Sequence, residues 1–485
     1  MLFVSFVKAL YHMAHKISFN GIKVVTAMKD QVKQIHFVGI GGVGMAGIAE
    51  VCLNLGYTVS GSDLKHNKTV ARLESLGGLI QLGHEALHVK QTDVVVVSTA
   101  IGEGNPEVNW AKEARVPVIP RAEMLAELMR MQFGIAIAGT HGKTTTTSLA
   151  AAILTQGGMD PTFVIGGKLN QVGANARLGT SRYLLAEADE SDASFLHLSP
   201  MMSVVTNIDE DHMETYQGDY QNLENTFVEF IHRLPFYGEA IMCIDDDNVR
   251  AMLPRLARKF STYGFMEEAD VRAINVEAKG LKMSFQVLVG REQSFDVILN
   301  TPGHHNVLNA LAAITIALKL DVSIDAIQQA LLEFGGVGRR FEVYPNRKIG
   351  HANVTLVDDY GHHPTELTAT IKTAKEAFPN QRLVLVFQPH RYSRTRDLFD
   401  EFVQALLMTD LVVLTEVYSA GEAHLPNFDS KALLQALRVR GGVGFFAEDL
   451  TQLNVITEEI LQDDDILLLM GAGDIGQVAK QWQGD

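Results

Sequence analysis

From Gln34 onward, short β-rich runs alternate with longer stretches whose apolar positions recur at helical spacing. Ile35–Val38, Thr58–Ser60, Val94–Ser98, Val116–Ile119 and Ile135–Ala138 read as strands, and Met45–Leu55 and Ala122–Met131 as helices between them. A second series has Tyr183–Glu187, Ser203–Asn207 and Ala240–Ile244 as its clearest strands. A third opens after Gly335-Gly336-Val337-Gly338, with Val354–Val357, Leu383–Phe387, Leu411–Thr415 and Ile466–Met470. Strands separated by helices need crossover connections, so the pattern predicts an α/β chain of three units built on parallel sheets. The expected boundaries are 31–121, 122–336 and 337–485, behind an N-terminal extension, 1–30, of unassigned role. No short tandem repeat or low-complexity tract interrupts this organisation.

The length, 485 residues, is about three domains' worth, and 47% hydrophobic with 20% charged residues is enough to build several cores. Lys and Arg total 41 against 57 Asp and Glu, a net charge of −16, which repels nucleic acid and anionic lipid. Neither is expected as a partner, and any phosphate must be held by a local site. The two cysteines, Cys52 and Cys243, have no metal-type spacing and form no disulfide framework, which fits a reducing, cytoplasmic home. No apolar run approaches the ~20 residues that span a bilayer, and Leu308–Leu320 is shorter and amphipathic. Met1–Ala9 is apolar, but Lys8 interrupts it and neither a basic run nor a cleavage site flanks it, so it reads as an extension rather than an export signal. Met13 and Met28 also precede the first strong strand.

Candidate chemistry sits at the ends of the strands. Gly39-Ile40-Gly41-Gly42-Val43-Gly44 follows Ile35–Val38 and opens a helix, with Asp63 nineteen residues beyond Gly44. This is a dinucleotide-type fingerprint: glycines let the backbone approach a diphosphate, and the acid can bind ribose hydroxyls. A second match, Gly471-Ala472-Gly473-Asp474-Ile475-Gly476, lies too near the terminus for a βαβ unit and reads as a turn. Gly139-Thr140-His141-Gly142-Lys143-Thr144 follows Ile135–Ala138 and leads into Thr145–Leu154, an arrangement suited to ATP phosphates. Backbone amides would cradle oxygens, Lys143 would neutralise phosphate charge, and Thr144 would reach Mg2+. It is one residue pattern short of the general P-loop, because Ile137 stands where the first glycine belongs; a plain helix cap is the bland alternative.

Asp189-Glu190-Ser191-Asp192 and Asp209-Glu210-Asp211-His212 bring hard ligands to two strand ends, where a solvated acidic loop is the alternative to a metal site. Asn306 and Asn309 share a helical face and can meet a purine edge or serve as caps, and Arg339 and Arg340 can meet phosphate bidentately. Asp358-Asp359-Tyr360-Gly361-His362-His363-Pro364 and Gln388-Pro389-His390-Arg391-Tyr392-Ser393-Arg394 offer acid, imidazole and guanidinium groups suited to an amino acid, or simply hydrated loops.

Phe37–Met45, Ala138–Thr146, Ala186–Asp192 and Asp358–Pro364, in this order, resemble the Mur ligase family over roughly Gln34 to Gly476, nearest its alanine-adding branch. The resemblance implies an N-terminal Rossmann-like domain for the UDP-sugar, a central P-loop ATPase with a mainly parallel sheet, and a C-terminal Rossmann-like domain for the amino acid. The first fingerprint, Gly39, Gly41, Gly42, Val43, Gly44 and Met45 with Asp63, would then hold a UDP diphosphate rather than NAD. Gly139, Thr140, His141, Gly142, Lys143, Thr144, Thr145, His305, Asn306 and Arg340 would bind ATP. Thr144 and Glu187 would hold one Mg2+ (or Mn2+), and His212 would belong to a second metal site. Lys143, Glu187, His212, Asp359 and His362 would be catalytic, and Tyr360, His362, Arg391 and Arg394 would face the amino acid.

The implied reaction uses ATP to turn the lactyl carboxylate of UDP-N-acetylmuramate into an acyl phosphate, which the amine of L-alanine attacks during peptidoglycan precursor synthesis. A monomer or weak homodimer is expected. The sister branch that recycles murein tripeptide is disfavoured, since its glycine loop usually carries a cysteine-containing variant of Gly41-Gly42-Val43-Gly44-Met45. An NAD-dependent oxidoreductase would leave the Lys143 loop without a task, and a regulatory ATP-binding module would leave the third unit's acid, His and Arg clusters without one.

Overall fold

The computed structural model describes residues 27–98, 100–102, 104–170, 174–291 and 293–483. Residues 1–26, most of the expected extension, lie outside them. The described chain forms three sheets. The first contains β1 (Gln34–Val38), β2 (Thr58–Asp63), β3 (Leu79–Leu82), β4 (Val94–Val97) and β5 (Val118–Pro120) in the order β3-β2-β1-β4-β5, all parallel. β3 escapes a reading of the apolar pattern because this edge strand is largely exposed.

The second sheet holds β6 (Phe133–Ala138), β7 (Thr162–Leu169), β8 (Ala174–Arg177), β9 (Tyr183–Glu187), β10 (Met202–Val205), β11 (Glu239–Cys243), β12 (Lys259–Gly264), β13 (Val271–Lys279), β14 (Lys282–Val289) and β15 (Gln293–Leu299). Its order is β15-β14-β13-β12-β11-β10-β6-β9-β7-β8. The pairs from β13 through β7 are parallel, and β14, β15 and β8 add antiparallel edges. In β14 and β15 alternate residues are buried, the period-2 pattern of a half-solvated sheet. The helices Lys143–Gln156 and His304–Lys319 share one core with the sheet, through residues such as Leu149, Leu154, Val307 and Ile314. The amphipathic stretch Leu308–Leu320 therefore lies mostly within a core helix.

The third sheet joins β16 (Glu342–Ile349), β17 (Ala352–Asp359), β18 (Leu383–Phe387), β19 (Leu411–Thr415), β20 (Gly444–Ala447) and β21 (Ile466–Met470) in the order β16-β17-β21-β18-β19-β20. Only the β16–β17 hairpin is antiparallel. β18 is apolar throughout because both its faces are covered: Leu383, Leu385 and Phe387 enter one core and Val384 and Val386 another. The fold is a three-domain α/β architecture with mostly parallel sheets.

By contact the described chain falls into two compact units, one running through Gly41 and taking in Cys52–Pro120, the other formed by Gly42–Val51 with Arg121 onward. Among the described residues no helix is long and apolar enough to cross a membrane.

Candidate active site

In the first unit, the chain leaves β1 through Gly39, whose φ of +77° favours glycine. The Gly41 amide donates to Asp63 Oδ2 at 2.8 Å, and Asn67 Nδ2 donates to the Gly41 carbonyl at 3.2 Å. The acid of the fingerprint thus braces the glycine loop itself. Nearby, the Glu107 carboxylate is wholly buried and accepts from Ser62 Oγ at 2.6 Å, with His88 Nδ1 at 2.7 Å and His84 Nδ1 at 3.2 Å. Burial alone would raise its pKa, but the His36 imidazole 3.7 Å away and hydrogen bonds from Ser62 and His88 bring it down to about 2.

In the second unit, β6 ends at Ala138 and the loop enters the helix Lys143–Gln156 through Gly142, with φ of +84°. A Cβ at Gly142 would lie 2.4 Å from Asn309 Oδ1, so both conformation and space demand glycine there. The end of β10 braces the loop: His141 N donates to Asn207 Oδ1 at 2.8 Å, and Thr206 Oγ1 donates to the His141 carbonyl at 2.6 Å. The Lys143 ammonium is folded onto its own loop, donating to the carbonyls of Gly139 at 2.6 Å and Thr140 at 3.1 Å. It also donates to both Glu190 oxygens, at 2.8 and 2.9 Å. Burial disfavours its charge, yet Glu190 more than compensates and its pKa rises. Burial pushes the Glu190 carboxyl up to about 7. Tyr216 Oη donates to the Glu190 carbonyl, fixing that loop.

Three cavities gather the expected residues of this unit. The first, about 340 Å3, is lined by His141, Gly142, Thr144 and Thr145 together with His305, Asn306, Asn309, Arg340 and Asp359. Neither asparagine caps its helix, whose N-cap is Gly303. Asn306 Nδ2 donates to the Pro302 carbonyl at 2.7 Å, and Asn309 Nδ2 donates to Asn306 Oδ1 at 3.2 Å. The second cavity, about 290 Å3, brings Val43 and Gly44 together with Arg121, Lys143, Glu187 and Asp189. Met45 is buried and lines none of the three cavities. Glu187 accepts the Gly166 amide at 2.6 Å, and its hydrogen bond with Thr144 and the Lys143 charge oppose a burial that still raises its pKa. The Thr144 hydroxyl beside the Glu187 carboxylate forms a hard-oxygen pair suited to Mg2+.

The third cavity, about 380 Å3, is lined by Asp211, His212, Arg391 and Arg394 among others. His212 therefore faces a different cavity from Glu187, although the Lys143 and Asp189 charges still act on it. Arg394 is committed to Asp211, donating from Nη2 to Oδ1 at 2.8 Å and Oδ2 at 3.1 Å and from Nε to Oδ1 at 3.2 Å. Arg391 lies 3.8 Å from Glu422. Tyr360 is flanked by the guanidinium groups of Arg339 and Arg340, at 5.4 and 5.1 Å from its ring centre.

The Asp358–Pro364 segment is not a hydrated loop: Asp358, Asp359 and His363 are buried. Asp359 spends its oxygens on the amides of Phe341 at 2.8 Å and Gly361 at 2.7 Å. Burial holds the His362 imidazole down to about 4, so it is neutral at physiological pH. The Tyr360 carbonyl, 3.2 Å from His362 Nδ1, can only accept; Nδ1 therefore carries the proton and Nε2 the lone pair. His363 caps the helix Pro364–Ala377, with Glu366 completing a capping box. The second glycine fingerprint is a turn: Gly471 has φ of +147°, and only the helix Ile475–Gln483 follows among the described residues.

Sequence reasoning offered Glu190, Asp209 and Asp211 as hard metal ligands rather than as the partners of Lys143, His141 and Arg394, and it passed over Glu366, the second carboxylate on His141. His141 Nε2 lies 3.1 Å from Asp209 Oδ2 and its Nδ1 3.4 Å from Glu366 Oε1. Burial lowers the His141 pKa, but these two carboxylates carry it up to about 9. The signal for Asp209, Glu190 and Asp211 was their place at strand ends; for Glu366 it was its spacing three residues after His363, that of a capping box.

Comparison with known proteins places these features in one lineage. The Mur ligase family catalytic domain matches residues 34–133, the Mur ligase middle domain 137–317, and the Mur ligase glutamate ligase domain 339–473. A UDP-N-acetylmuramate--L-alanine ligase of Hydrogenovibrio crunogenus is 74% identical over 457 residues, covering 94% of this chain and 99% of that protein. The enzyme of the same description from Methylococcus capsulatus is 55% identical, covering 93% and 96%. The crystal structure of a UDP-N-acetylmuramate-alanine ligase from Thermotoga maritima superposes with a TM-score of 0.77 at 30% identity, covering 93% of this chain and 98% of that one. With its three domains matched in order and close relatives aligned along nearly their whole length, the chain belongs to the Mur ligase family.

Proposed function

We propose that this protein joins L-alanine to the lactyl carboxylate of UDP-N-acetylmuramate, consuming ATP and releasing ADP and phosphate in peptidoglycan precursor synthesis. The observation that carries the reading is that Val43 and Gly44 of the first glycine loop line the same cavity as Lys143 and Glu187 of the ATP machinery. A sugar diphosphate and a γ-phosphate are both anions needing backbone amides and a cation, and that cavity supplies each. Gly139 to Thr145 would cradle the ATP phosphates, with His305, Asn306 and Arg340 toward its base and ribose.

The lactyl carboxylate oxygen attacks the γ-phosphorus and ADP leaves; Lys143 steadies the charge of the transferred group. The amine nitrogen of L-alanine then attacks the acyl carbon, the C–O bond to phosphate breaks, and the amine proton is lost. His362, neutral with its lone pair on Nε2, is suited to orient that amine, and Tyr360, Arg391 and Arg394 would border the amino acid. Asp359 acts by fixing the loop that carries Tyr360 and His362. Thr144 and Glu187 would hold Mg2+ or Mn2+, with His212 at a second cation position; the cation neutralises phosphate charge during transfer. A cytoplasmic location and a monomeric or weakly dimeric state belong to the same proposal.

The test is phosphate release from ATP and Mg2+ with UDP-N-acetylmuramate, comparing L-alanine, murein tripeptide and no amine. Release dependent on L-alanine, with one amide formed per phosphate, is expected. Preference for tripeptide would assign the recycling reaction instead, and no release with any acceptor would overturn the ligase reading.

A further inference from the structure

We propose that His141, Asp209 and His363 form a binding site for one transition-metal ion of the Zn2+ class, separate from the cation position at Thr144 and Glu187. The three residues come from three segments: the loop before the helix Lys143–Gln156, the stretch after β10, and the N-cap of the helix Pro364–Ala377. One ligand atom from each lies within 4.8 Å of the others. Asp209 Oδ2 is 3.1 Å from His141 Nε2 and 3.5 Å from His363 Nδ1. A tetrahedral ion with bonds of ~2.0–2.1 Å separates its ligands by ~3.3–3.4 Å, so these two gaps accept it with shifts of a few tenths of an ångström, while the gap between the two imidazoles, within 4.8 Å, closes by rotation of the rings.

The donor set selects the ion. Two imidazoles and one carboxylate match a three-ligand Zn2+ site with a fourth position open, whereas Mg2+ prefers oxygen alone. His141 and Asp209 line the 340 Å3 cavity, which gives the fourth position room for water. The supporting contacts are those of metal-bound residues. His141 turns its other nitrogen, Nδ1, to Glu366 Oε1 at 3.4 Å, and Thr365 Oγ1 donates to Asp209 Oδ2 at 2.7 Å. Such a carboxylate behind a ligating imidazole orients the ring and raises its basicity. Asp209 and Glu366 also create at this point a negative field that favours any cation.

His363 is only 3% exposed and its Nε2 finds no hydrogen-bond partner among the described residues. Its Nδ1 accepts a long hydrogen bond from the Thr365 amide, at 3.3 Å, and lies 3.5 Å from Asp209 Oδ2. A metal bond at Nδ1 would take the place of that long contact and leave the ring proton on Nε2.

The experiment uses the chelator-stripped full chain, titrated with Co2+ in excess Mg2+ so that oxygen-ligand sites are filled. The expected result is an intense visible absorption, diagnostic of four- or five-coordinate Co2+, that saturates at one equivalent and is bleached by one equivalent of Zn2+. His363→Asn, which keeps a capping side chain, and His141→Asn should each weaken binding by at least about tenfold, the lower bound for losing even an outer contact. Circular dichroism verifies that both variants fold. His212→Asn should leave the band intact. A faint octahedral spectrum, a band that survives both His363→Asn and His141→Asn, or a band lost in His212→Asn would overturn the proposal and leave the cluster as an ion-pair network.

Discussion

Replacing Arg394 by alanine tests whether the ties around the third cavity are structural as well as chemical. The wild-type guanidinium makes three hydrogen bonds to Asp211, and the two side chains are 6% and 11% exposed. Removing one partner of a buried ion pair costs about 3–5 kcal/mol, because the other charge is stranded. Asp211 borders an open cavity where water can reach it, so the lower end, about 3 kcal/mol, is expected. At about 2–4 °C per kcal/mol for units of 150–250 residues, the melting point should fall by roughly 6–12 °C.

The assay is thermal unfolding of a double-mutant cycle with Asp211→Asn, accompanied by KM for L-alanine. Burial works against the Asp211 charge, but Arg394 holds the carboxyl well below its usual range. A depressed carboxylate stabilises above its unfolded pKa and loses that contribution as pH falls, so the gap between wild type and variant should narrow in acid. If the two substitutions add to within about 0.5 kcal/mol, the pair carries no coupling and the reasoning fails. A raised KM with unchanged melting would instead mark Arg394 as a pure substrate contact.

Lys143→Ala should abolish ATP-dependent phosphate release while leaving UDP-sugar binding largely intact by calorimetry; loss of both would point to misfolding. Gly142→Ala forces a left-handed alanine against Asn309, at about 1–2 kcal/mol for the backbone alone, and should raise the KM for ATP more than that for L-alanine. Glu107→Gln should change acid stability. The wild-type drop from 4.5 to about 2 is worth about 3 kcal/mol, present above pH 4.5 and lost as pH falls toward 2. The variant's unfolding free energy should therefore be lower near neutrality and flatter through that window, and parallel pH profiles would contradict it.

Legibility followed physical locality. β18, β19 and β21 could be read to the residue because each is an apolar run covered on both faces and closed by polar turns. β14 and β15 were harder: their buried positions alternate, and short alternating runs among polar residues look like connecting loops. β16 is hidden by Pro345 and Asn346, where its register with β17 shifts. The glycine loops were visible because a tight turn and a close backbone approach leave a local residue requirement. Partners such as Glu190 and Asp211 were not. Lys143 and Glu190 are 47 residues apart, Arg394 and Asp211 183, and no local pattern encodes a pairing that the fold creates.

The grip of Glu190 on Lys143 bears on which anions the loop admits. With two carboxylate oxygens and two carbonyls already around it, the ammonium carries almost no uncompensated charge into the cavity. A small anion such as sulfate or orthophosphate would have to displace Glu190 with nothing but its own charge. A nucleotide arrives with base and ribose contacts in the adjoining cavity and can meet that requirement from binding made elsewhere. The counter-ion built into the loop thus sets an energetic threshold that a ligand with contacts of its own elsewhere meets more readily than a bare anion.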